Sequence, residues 1–343
     1  MTGAADGGRA RAAAMAVVGG RGRMPEPGAR GEGEAPANVA LVKYWGKRDE
    51  DLKLPVTGSL SVSLGPLGTR TVVARAEDGA AADEIWLNGR RVAPEEGFAR
   101  RLGAYLDLTR PGSGFRYRVE TWNRVPTAAG LASSASGFAA LARALDALWG
   151  WGLGNEELSV LARLGSGSAA RSLERGFVEW TRGERADGAD SVGRKIGDAW
   201  EELRVGALVA DAGEKAVGSG EGMRRTVETS CGYAGWPERV EADLAAAREA
   251  IARKDLAALG EVAEGNALAM HGLMWEARPP LVYQSPETLA IMRRVWDARK
   301  SGIGVWLTMD AGPNVKLLFE ASDESRVRDA IGPMTVIRPN ALP

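Results

Sequence analysis

The chain has 343 residues, a length at which two packed domains are expected rather than one hydrophobic core. Its 44 Lys and Arg residues and 45 Asp and Glu residues give a net charge of -1. This value argues against a protein that binds nucleic acid through its overall positive charge, but it allows a local basic pocket. One cysteine, Cys231, and one histidine, His271, exclude a disulfide framework, a cysteine-rich metal site and a site with two histidine ligands. Any catalysis is therefore expected to use carboxylates, lysine, arginine, hydroxyls and backbone amides.

Residues 1–34 are rich in Gly, Ala and Arg and contain no aromatic residue. Such a segment buries too little surface to offset the entropy of ordering it, so residues 1–34 are predicted to form a disordered tail. A transit peptide, or a true start at Met24, would also explain the segment. No stretch of the chain is long and apolar enough to span a bilayer, so we expect a cytoplasmic protein with no membrane partner.

From Ala35 onward the sequence alternates short strand and helix patterns. Residues 84–92 predict a hairpin around Asn88-Gly89, and residues 115–122 alternate with the period of a half-buried strand. Apolar residues at helical spacing over 136–149 stop at Gly150, which predicts an amphipathic helix.

The second half of the chain continues the same alternation. Residues 205–209, 303–309 and 315–319 predict strands, and a long helical stretch is predicted around residues 240–274. Strands and helices interleave without a repeat period, which is typical of a mixed α/β or α+β protein. The domain boundary is predicted near residue 195, giving domains at 35–195 and 196–343.

The segment at 126–137, PTAAGLASSASG, lies between the strand over 115–122 and the helix over 136–149. Its small residues allow a ligand to approach the backbone, the helix start offers free N–H groups, and the serine hydroxyls add donors, which suits a polyphosphate. A plain Gly/Ser turn with a helix-capping serine is an equally good interpretation from composition alone. The segment has neither the Walker nor the Rossmann spacing.

Three further segments carry candidate functional groups. Arg171 follows the small residues at 165–170 and is suited to grip a carboxylate or phosphate, although a surface arginine is the simpler interpretation. Residues 43–49 hold three cations and two aromatics, which also fits a solvated charge cluster. Asp310 follows an apolar strand and precedes a Gly-Pro turn, so it is either a turn former or a base held at a strand end.

Taken in order, these segments resemble the motifs of the diphosphomevalonate decarboxylase family. The family belongs to a superfamily of small-molecule kinases that act on galactose, homoserine, mevalonate and phosphomevalonate. The resemblance runs from about residue 35 to about residue 319, and it is carried by the blocks ANVALVKYWGKRD, LPVTGSLSVSL, NRVPTAAGLASSASGFAALA, GSGSAARSLERGFVEW and TMDAGPNVKLL.

The resemblance implies a two-domain α+β fold of this superfamily. It has a ribosomal-protein-S5-like N-terminal domain with a left-handed βαβ unit and a ferredoxin-like α/β sandwich as the C-terminal domain. It also implies that the enzyme uses ATP and Mg²⁺ to phosphorylate the 3-hydroxyl of mevalonate 5-diphosphate. Phosphate and CO2 then leave, giving isopentenyl diphosphate for isoprenoid biosynthesis. A homodimer is expected by analogy with the family.

The resemblance also assigns roles to individual residues. Asp310 matches the catalytic base, Lys43 the lysine beside it, and Arg171 the arginine that positions the substrate carboxylate. The substrate diphosphate is expected to bind Tyr44, Lys47, Arg101 and Ser166. The ATP phosphates are expected to bind Gly130, Ala132, Ser133 and Ser134. No residue is predicted to ligate a metal ion directly.

One segment departs from the family pattern. Thr57-Gly58-Ser59 stands where many members carry Asn-Ser-Ser, close to the family's substrate site. The alternatives are therefore a decarboxylase of mevalonate 5-phosphate or of the 3,5-bisphosphate, or a 3-kinase without decarboxylation. A non-catalytic ligand sensor is disfavoured because Lys43, Asp310 and Arg171 are all retained. His271 and Cys231 are expected to be structural.

Overall fold

The computed structural model describes residues 8–77, 79–124, 133–197, 200–211, 213 and 216–339. The elements of the first half, in chain order, are α1 (Gly8–Val18), β1 (Arg30–Val42), β2 (Lys47–Asp49), β3 (Leu54–Pro55), β4 (Ser59–Arg75), β5 (Glu84–Leu87), β6 (Arg90–Arg91), α2 (Gly97–Leu106), β7 (Tyr117–Asn123), α3 (Ser133–Trp149), α4 (Asn155–Gly165), β8 (Phe177–Trp180) and β9 (Gly193–Ile196). Those of the second half are β10 (Leu203–Leu208), α5 (Ser219–Thr229), α6 (Trp236–Arg253), α7 (Leu256–Glu276), α8 (Pro286–Lys300), β11 (Val305–Met309), β12 (Val315–Glu320), α9 (Glu324–Ile331) and β13 (Thr335–Ile337).

Two sheets form the framework of the described residues. The first has the strand order β6-β5-β7-β4-β8-β9, with β1 also paired to the long strand β4. Its β5 and β7 are parallel and are joined through β6 and α2. The second sheet is antiparallel, with the order β11-β12-β10-β13, and β2 and β3 form a separate hairpin. A mixed sheet beside a separate antiparallel sheet is an α+β fold, as predicted.

Strand β1 connects the two halves of the molecule. Along its second part, Val39 and Leu41 are fully buried in an apolar cluster that also holds Leu244 of α6, Met274 of α7 and Val205 of β10. Successive side chains of a strand point to opposite faces, so Asn38 and Ala40, which alternate with these residues, line a cavity instead. This alternation places the end of β1 at the boundary between an apolar core and a polar cleft.

The prediction of a disordered tail is wrong for residues 8–34. Gly31, Gly33 and Ala35 are buried while Arg30, Glu32 and Glu34 are exposed, which is the alternation of a half-buried strand. The glycines serve packing: a Cβ on Gly33 would lie 2.3 Å from the carbonyl oxygen of Ala140 in α3. Composition suggested disorder because glycine buries little surface, but here glycine allows a helix backbone to touch the strand.

Helix α1 also contradicts the prediction of disorder. Ala10, Ala14 and Val18, spaced four residues apart, are buried in the apolar core of the first half. Alanine has the highest helix propensity, so an alanine-rich segment forms a helix readily when one face can pack. Residues 1–7 lie outside the described residues.

The other predicted elements agree with the structure, with one exception. The hairpin, the strands and the helix that ends before Gly150 are confirmed. The long helical stretch around residues 240–274 is two helices, α6 and α7. Lys254 has a left-handed backbone with φ 53°, which ends α6, and the Asp255 side chain then accepts from the backbone N–H of Ala258 to begin α7. Within the described residues, no helix has the length and apolar content needed to cross a membrane.

Replacing Gly33 by alanine tests the close contact between β1 and α3. The added methyl group meets backbone rather than a movable side chain, so we expect a loss of about 1–3 kcal/mol in the free energy of unfolding, measured by urea denaturation. Glu32→Ala is the matched control, because Glu32 points outward and loses only its exposed ion pair with Arg70, which is worth about 0–1 kcal/mol. Equal losses in the two variants would contradict the packing role of Gly33.

Candidate active site

A polar cavity of about 300 Å³ lies between the two halves of the chain. The first half lines it through the end of β1, the residues that follow β1, the start of α3 and the turn after α4. The second half lines it through α5, α7 and the segment after β11. The lining residues that carry hydroxyl, amide or charged groups are Asn38, Lys43, Tyr44, Lys47, Lys53, Ser134, Ser166, Ser168, Arg171, Ser219 and Asp310.

Lys43 and Asp310 form an ion pair at the wall of this cavity. The Lys43 ammonium donates to Asp310 Oδ1 at 3.0 Å and to the carbonyl oxygen of Ala40 at 2.7 Å. Lys316 approaches the other carboxylate oxygen, Oδ2, at 3.5 Å. Both lysine side chains are only 2% exposed, whereas that of Asp310 is 35% exposed and faces the cavity. The carboxylate is therefore held between two buried cations with part of its surface open to a ligand.

The electrostatics of this pair set its protonation states. Burial alone would raise the pKa of Asp310, but the attraction of Lys43, Lys316 and Arg171 and the hydrogen bond from Lys43 outweigh burial and hold the pKa well below its usual range. Burial lowers the pKa of Lys43 to about 8, with Asp310 partly opposing the shift. At neutral pH the site therefore holds an ionised carboxylate and a lysine that is charged but close to losing its proton.

Arg171 is buried beside this pair, at the end of the 3-10 turn Gly167–Arg171. One guanidinium nitrogen, Nη1, donates to the hydroxyl of Ser59 at 2.6 Å. Burial lowers the pKa of Arg171 to about 10, so the group stays charged at neutral pH. Its Nε is buried without a hydrogen-bond partner among the described residues, as is the hydroxyl of Tyr44. Two unpaired donors beside an excess of positive charge suit a bound anion.

Helix α7 holds both members of the ion pair through their backbones. Asn266 accepts a hydrogen bond from the backbone N–H of Lys43 at 2.8 Å. His271 Nε2 lies 3.1 Å from the carbonyl oxygen of Asp310, and Gln284 contacts the other ring nitrogen. Burial lowers the pKa of His271 to about 4, so the ring is neutral and Nε2 donates to the carbonyl. His271 does not line the cavity.

Several residues predicted to bind substrate phosphates line the same cavity. Tyr44 packs its ring over Gly167, where a Cβ would lie 2.8 Å from the ring, and against Trp180 at a centroid distance of 4.8 Å. Lys47 donates to Glu50 at 2.5 Å. The Ser166 hydroxyl lies 3.3 Å from that of Ser168. The structure thus brings Lys43, Tyr44, Lys47, Ser166, Arg171 and Asp310 together.

Arg101 is the exception among the predicted substrate ligands. It is exposed on α2 and lines a second, mostly apolar cavity with Leu87, Phe98, Leu102 and other residues, not the cavity of Asp310. The role of Arg101 as a diphosphate ligand therefore stays a prediction, and the structure places its side chain along a different cavity from the other predicted ligands. The two cavities share Ser134 at the start of α3.

The predicted ATP-binding loop is only partly described. Gly130 and Ala132 lie outside the described residues. Ser133 begins α3, and Ser134 is exposed where the two cavities meet. Among the described residues, no group of three or more His, Cys, Asp or Glu side chains is arranged to hold a metal ion.

Comparisons with known proteins match both halves of the chain. A model of the diphosphomevalonate decarboxylase-like N-terminal domain matches residues 35–193, and one of the mevalonate 5-diphosphate decarboxylase C-terminal domain matches residues 205–338. The diphosphomevalonate decarboxylase of Aspergillus fumigatus is 38% identical over 326 residues, which covers 89% of this chain and 80% of that protein. The chain belongs to the diphosphomevalonate decarboxylase family.

Solved structures of the family agree with the fold. Mevalonate diphosphate decarboxylase from Staphylococcus aureus aligns with a TM-score of 0.86 at 37% identity, covering 92% of this chain and 96% of that one. A structure of a protein called MDDEF, in complex with MVAPP, AMPPCP and magnesium, aligns with a TM-score of 0.83 at 41% identity and covers 90% of this chain and 99% of that one.

The departure from the family pattern at Thr57-Gly58 does not reach the central cavity. Both residues line a separate surface groove beside α6, and a Cβ on Gly58 would lie 3.0 Å from Leu244. Ser59, the third residue of the segment, keeps the hydroxyl that accepts from Arg171. The departure is therefore matched to the packing of α6 and leaves in place the serine that binds Arg171.

Sequence reasoning missed two lysines of the site. Lys316 is a single cation in the apolar run of β12, and a buried charge in such a run is a signal that could have been used. Lys53 lies in the β2–β3 turn, where a charged residue is ordinary, so its local sequence gives no such signal.

Replacing Ser59 by alanine tests how Arg171 is held. The change leaves a buried charged donor without its acceptor, so we expect a loss of about 1–3 kcal/mol in the free energy of unfolding, measured by urea denaturation. Ser61→Ala is the control two residues along the same strand, because the Ser61 hydroxyl is also buried but has no hydrogen-bond partner among the described residues. Ser61→Ala should be neutral or slightly stabilising. A larger loss from Ser61→Ala than from Ser59→Ala would refute the assignment.

Proposed function

We propose that this chain catalyses the ATP-dependent decarboxylation of mevalonate 5-diphosphate to isopentenyl diphosphate, releasing ADP, phosphate and CO2. The observation that carries the proposal is the ionised Asp310 held between Lys43 and Lys316 in a cationic cavity of a family member. The family's proteins are named diphosphomevalonate decarboxylases, and MDDEF binds MVAPP, AMPPCP and magnesium together.

Asp310 acts on the 3-hydroxyl of the substrate. Its exposed carboxylate edge accepts the hydroxyl hydrogen bond and orients the oxygen toward the γ-phosphorus of ATP. The oxygen forms a bond to phosphorus as the bond to ADP breaks, and the proton passes to Asp310. A carboxylate with a lowered pKa is a weak base, which suits phosphoryl transfer, because positioning and electrostatics dominate that reaction.

Arg171 and Lys43 act in the elimination that follows. The unpaired Nε of Arg171 donates to the substrate carboxylate and fixes its orientation. The bond between the carboxylate carbon and its neighbour breaks, its electrons form the C=C bond, and the 3-phosphate leaves with the electrons of its C–O bond. The Lys43 ammonium neutralises charge that builds up on the phosphate group.

We infer that ATP binds in the pair of cavities that meet at Ser134. The phosphates face the cationic cavity and the N–H groups at the start of α3, and the base enters the apolar cavity of Leu87, Phe98 and Phe138, where Arg101 lies at the rim. Mg²⁺ would neutralise charge on the ATP phosphates, and phosphate oxygens with water would supply most of its ligands. The Ser134 hydroxyl is the described side chain best placed to assist.

We also propose a division of the chain into two domains. A boundary near residue 195 divides it into domains at 35–195 and 196–343, which is supported by family matches that end at residue 193 and resume at residue 205. The homodimeric state and the cytoplasmic location rest on the resemblance and on sequence composition.

A paired substrate assay tests the proposed function. We expect ADP, phosphate and CO2 in equal amounts from mevalonate 5-diphosphate, and much slower release from mevalonate 5-phosphate. Asp310→Asn should reduce kcat by at least about a thousandfold and leave KM nearly unchanged, because the amide cannot accept the proton. ADP without CO2 would make the protein a 3-kinase, and faster turnover of the monophosphate would make it a monophosphate decarboxylase.

The pKa of Lys43 predicts the pH dependence. Because its pKa in the ligand-free protein is lowered to about 8, the required ammonium form is present below that pH and is lost above it. We expect kcat/KM to be flat near neutrality and to fall by about tenfold per pH unit above pH 8. Lys43→Arg keeps the charge, so its residual activity should lack this fall. A fall of equal size in Lys43→Arg would show that the titration of another group causes the fall.

A further inference from the structure

Lys53 lines the cavity beside Lys47 but has no part in the mechanism above. It lies in the turn between β2 and β3, flanked by Leu52 and Leu54. Both leucines are buried in the apolar core of the first half, and the carbonyl of Leu52 accepts from the buried Arg163. The turn is thus anchored on its core side, and the half-buried side chain of Lys53 is left on the cavity side.

The backbone at Lys53 is strained. Its φ is 51°, in the left-handed region that residues with a side chain rarely adopt. Such strain persists where the surrounding structure imposes it, and it concentrates at ligand-binding sites. Glycine would relieve it, yet the position carries a long cationic side chain that faces a ligand cavity.

Lys53 also has no direct partner for its charge among the described residues. The three carboxylates of the turn are engaged by other groups: Asp49 by Arg9 at 2.6 Å, Glu50 by Lys47 at 2.5 Å, and Asp51 by the backbone N–H of Ala10 at 3.2 Å. Across the described part of the chain, the Lys53 ammonium has no hydrogen bond or ion pair. Burial, and then the nearby Lys47, lower the pKa of Lys53, while the charges of Glu50 and Asp51 only partly oppose the shift. A bound anion would relieve both costs.

We propose that Lys53 is a specificity-determining residue that binds the terminal phosphate of the substrate and selects a diphosphate over a monophosphate. The identity of the substrate rests on the proposed function, and the role of Lys53 deepens it. The charge of Lys47 is already offset by Glu50. Lys53 has no directly bound carboxylate among the described residues, so its ammonium can bind the additional negative charge of a diphosphate.

The kinetic test uses Lys53→Met, Lys53→Arg and Lys254→Met in the full chain. Lys254 is the matched control, because it has the same left-handed backbone, with φ 53°, but is exposed at the end of α6. Lys53→Met should raise KM for mevalonate 5-diphosphate by at least about tenfold, with kcat within about twofold of wild type. Activity on mevalonate 5-phosphate should not change. Lys53→Arg should restore most of the loss, and Lys254→Met should match wild type.

A binding test keeps this inference separate from the catalytic proposal. Calorimetric titration with inorganic diphosphate and with inorganic phosphate needs no turnover. Lys53→Met should weaken diphosphate binding by about tenfold and leave phosphate binding unchanged. If wild type releases no CO2 but diphosphate binding still depends on Lys53, the catalytic proposal fails and this one stands. Equal losses for both anions, or no loss for either, would overturn it.

Discussion

The ion pair between Lys43 and Asp310 joins residues 267 positions apart at the ends of β1 and β11, strands of different sheets. A 3.0 Å contact of this kind forms only when both sheets are held in a fixed relation. Helix α7 provides that relation, since Asn266 binds the backbone at Lys43 and His271 binds the backbone at Asp310. The apolar cluster around α7 therefore fixes the positions of the catalytic residues. The polar side chains of the cavity supply the reactive groups, and their positions depend on this apolar packing.

Burying the charged groups of this region costs free energy. Lys43, Lys316 and Arg171 are buried around one carboxylate, so positive charge exceeds negative charge where water is scarce. Burial lowers the pKa of Lys43 and of Arg171, which shows that the folded chain disfavours these charges. An anionic substrate supplies the missing negative charge. The cost of burying these cations is thus the counterpart of an affinity for phosphate and carboxylate groups, a common compromise between stability and function.

The role of a residue can be predicted from the sequence when the residues next to it in the chain form a recognisable pattern. Asp310, Lys43 and Arg171 stand in motifs with a strand end or a small-residue turn beside them, and the structure brings all three together. Arg101 lines a different cavity from these three, and its short helical pattern does not specify which cavity it faces. Lys53 is inconspicuous in sequence, since a charged residue is ordinary in a turn and only the fold shows that it lines the cavity. Residues 8–34 are ordered although their composition predicts disorder, because the period-two alternation of Gly31 and Gly33 with exposed residues is a strand signal that composition does not carry.

The ordered N-terminal segment also contacts the turn that carries Lys53. Helix α1 lies outside the residues matched by the family models, yet Arg9 and the backbone of Ala10 occupy Asp49 and Asp51 of the β2–β3 turn. Arg9 offsets the charge of Asp49, whereas the N–H of Ala10 is neutral and orients Asp51 without offsetting its charge. The charge presented to the substrate is therefore adjusted by a helix that does not line the cavity, through acidic residues that do not line it either. A segment that its composition predicts to be disordered thus contacts the turn that carries Lys53.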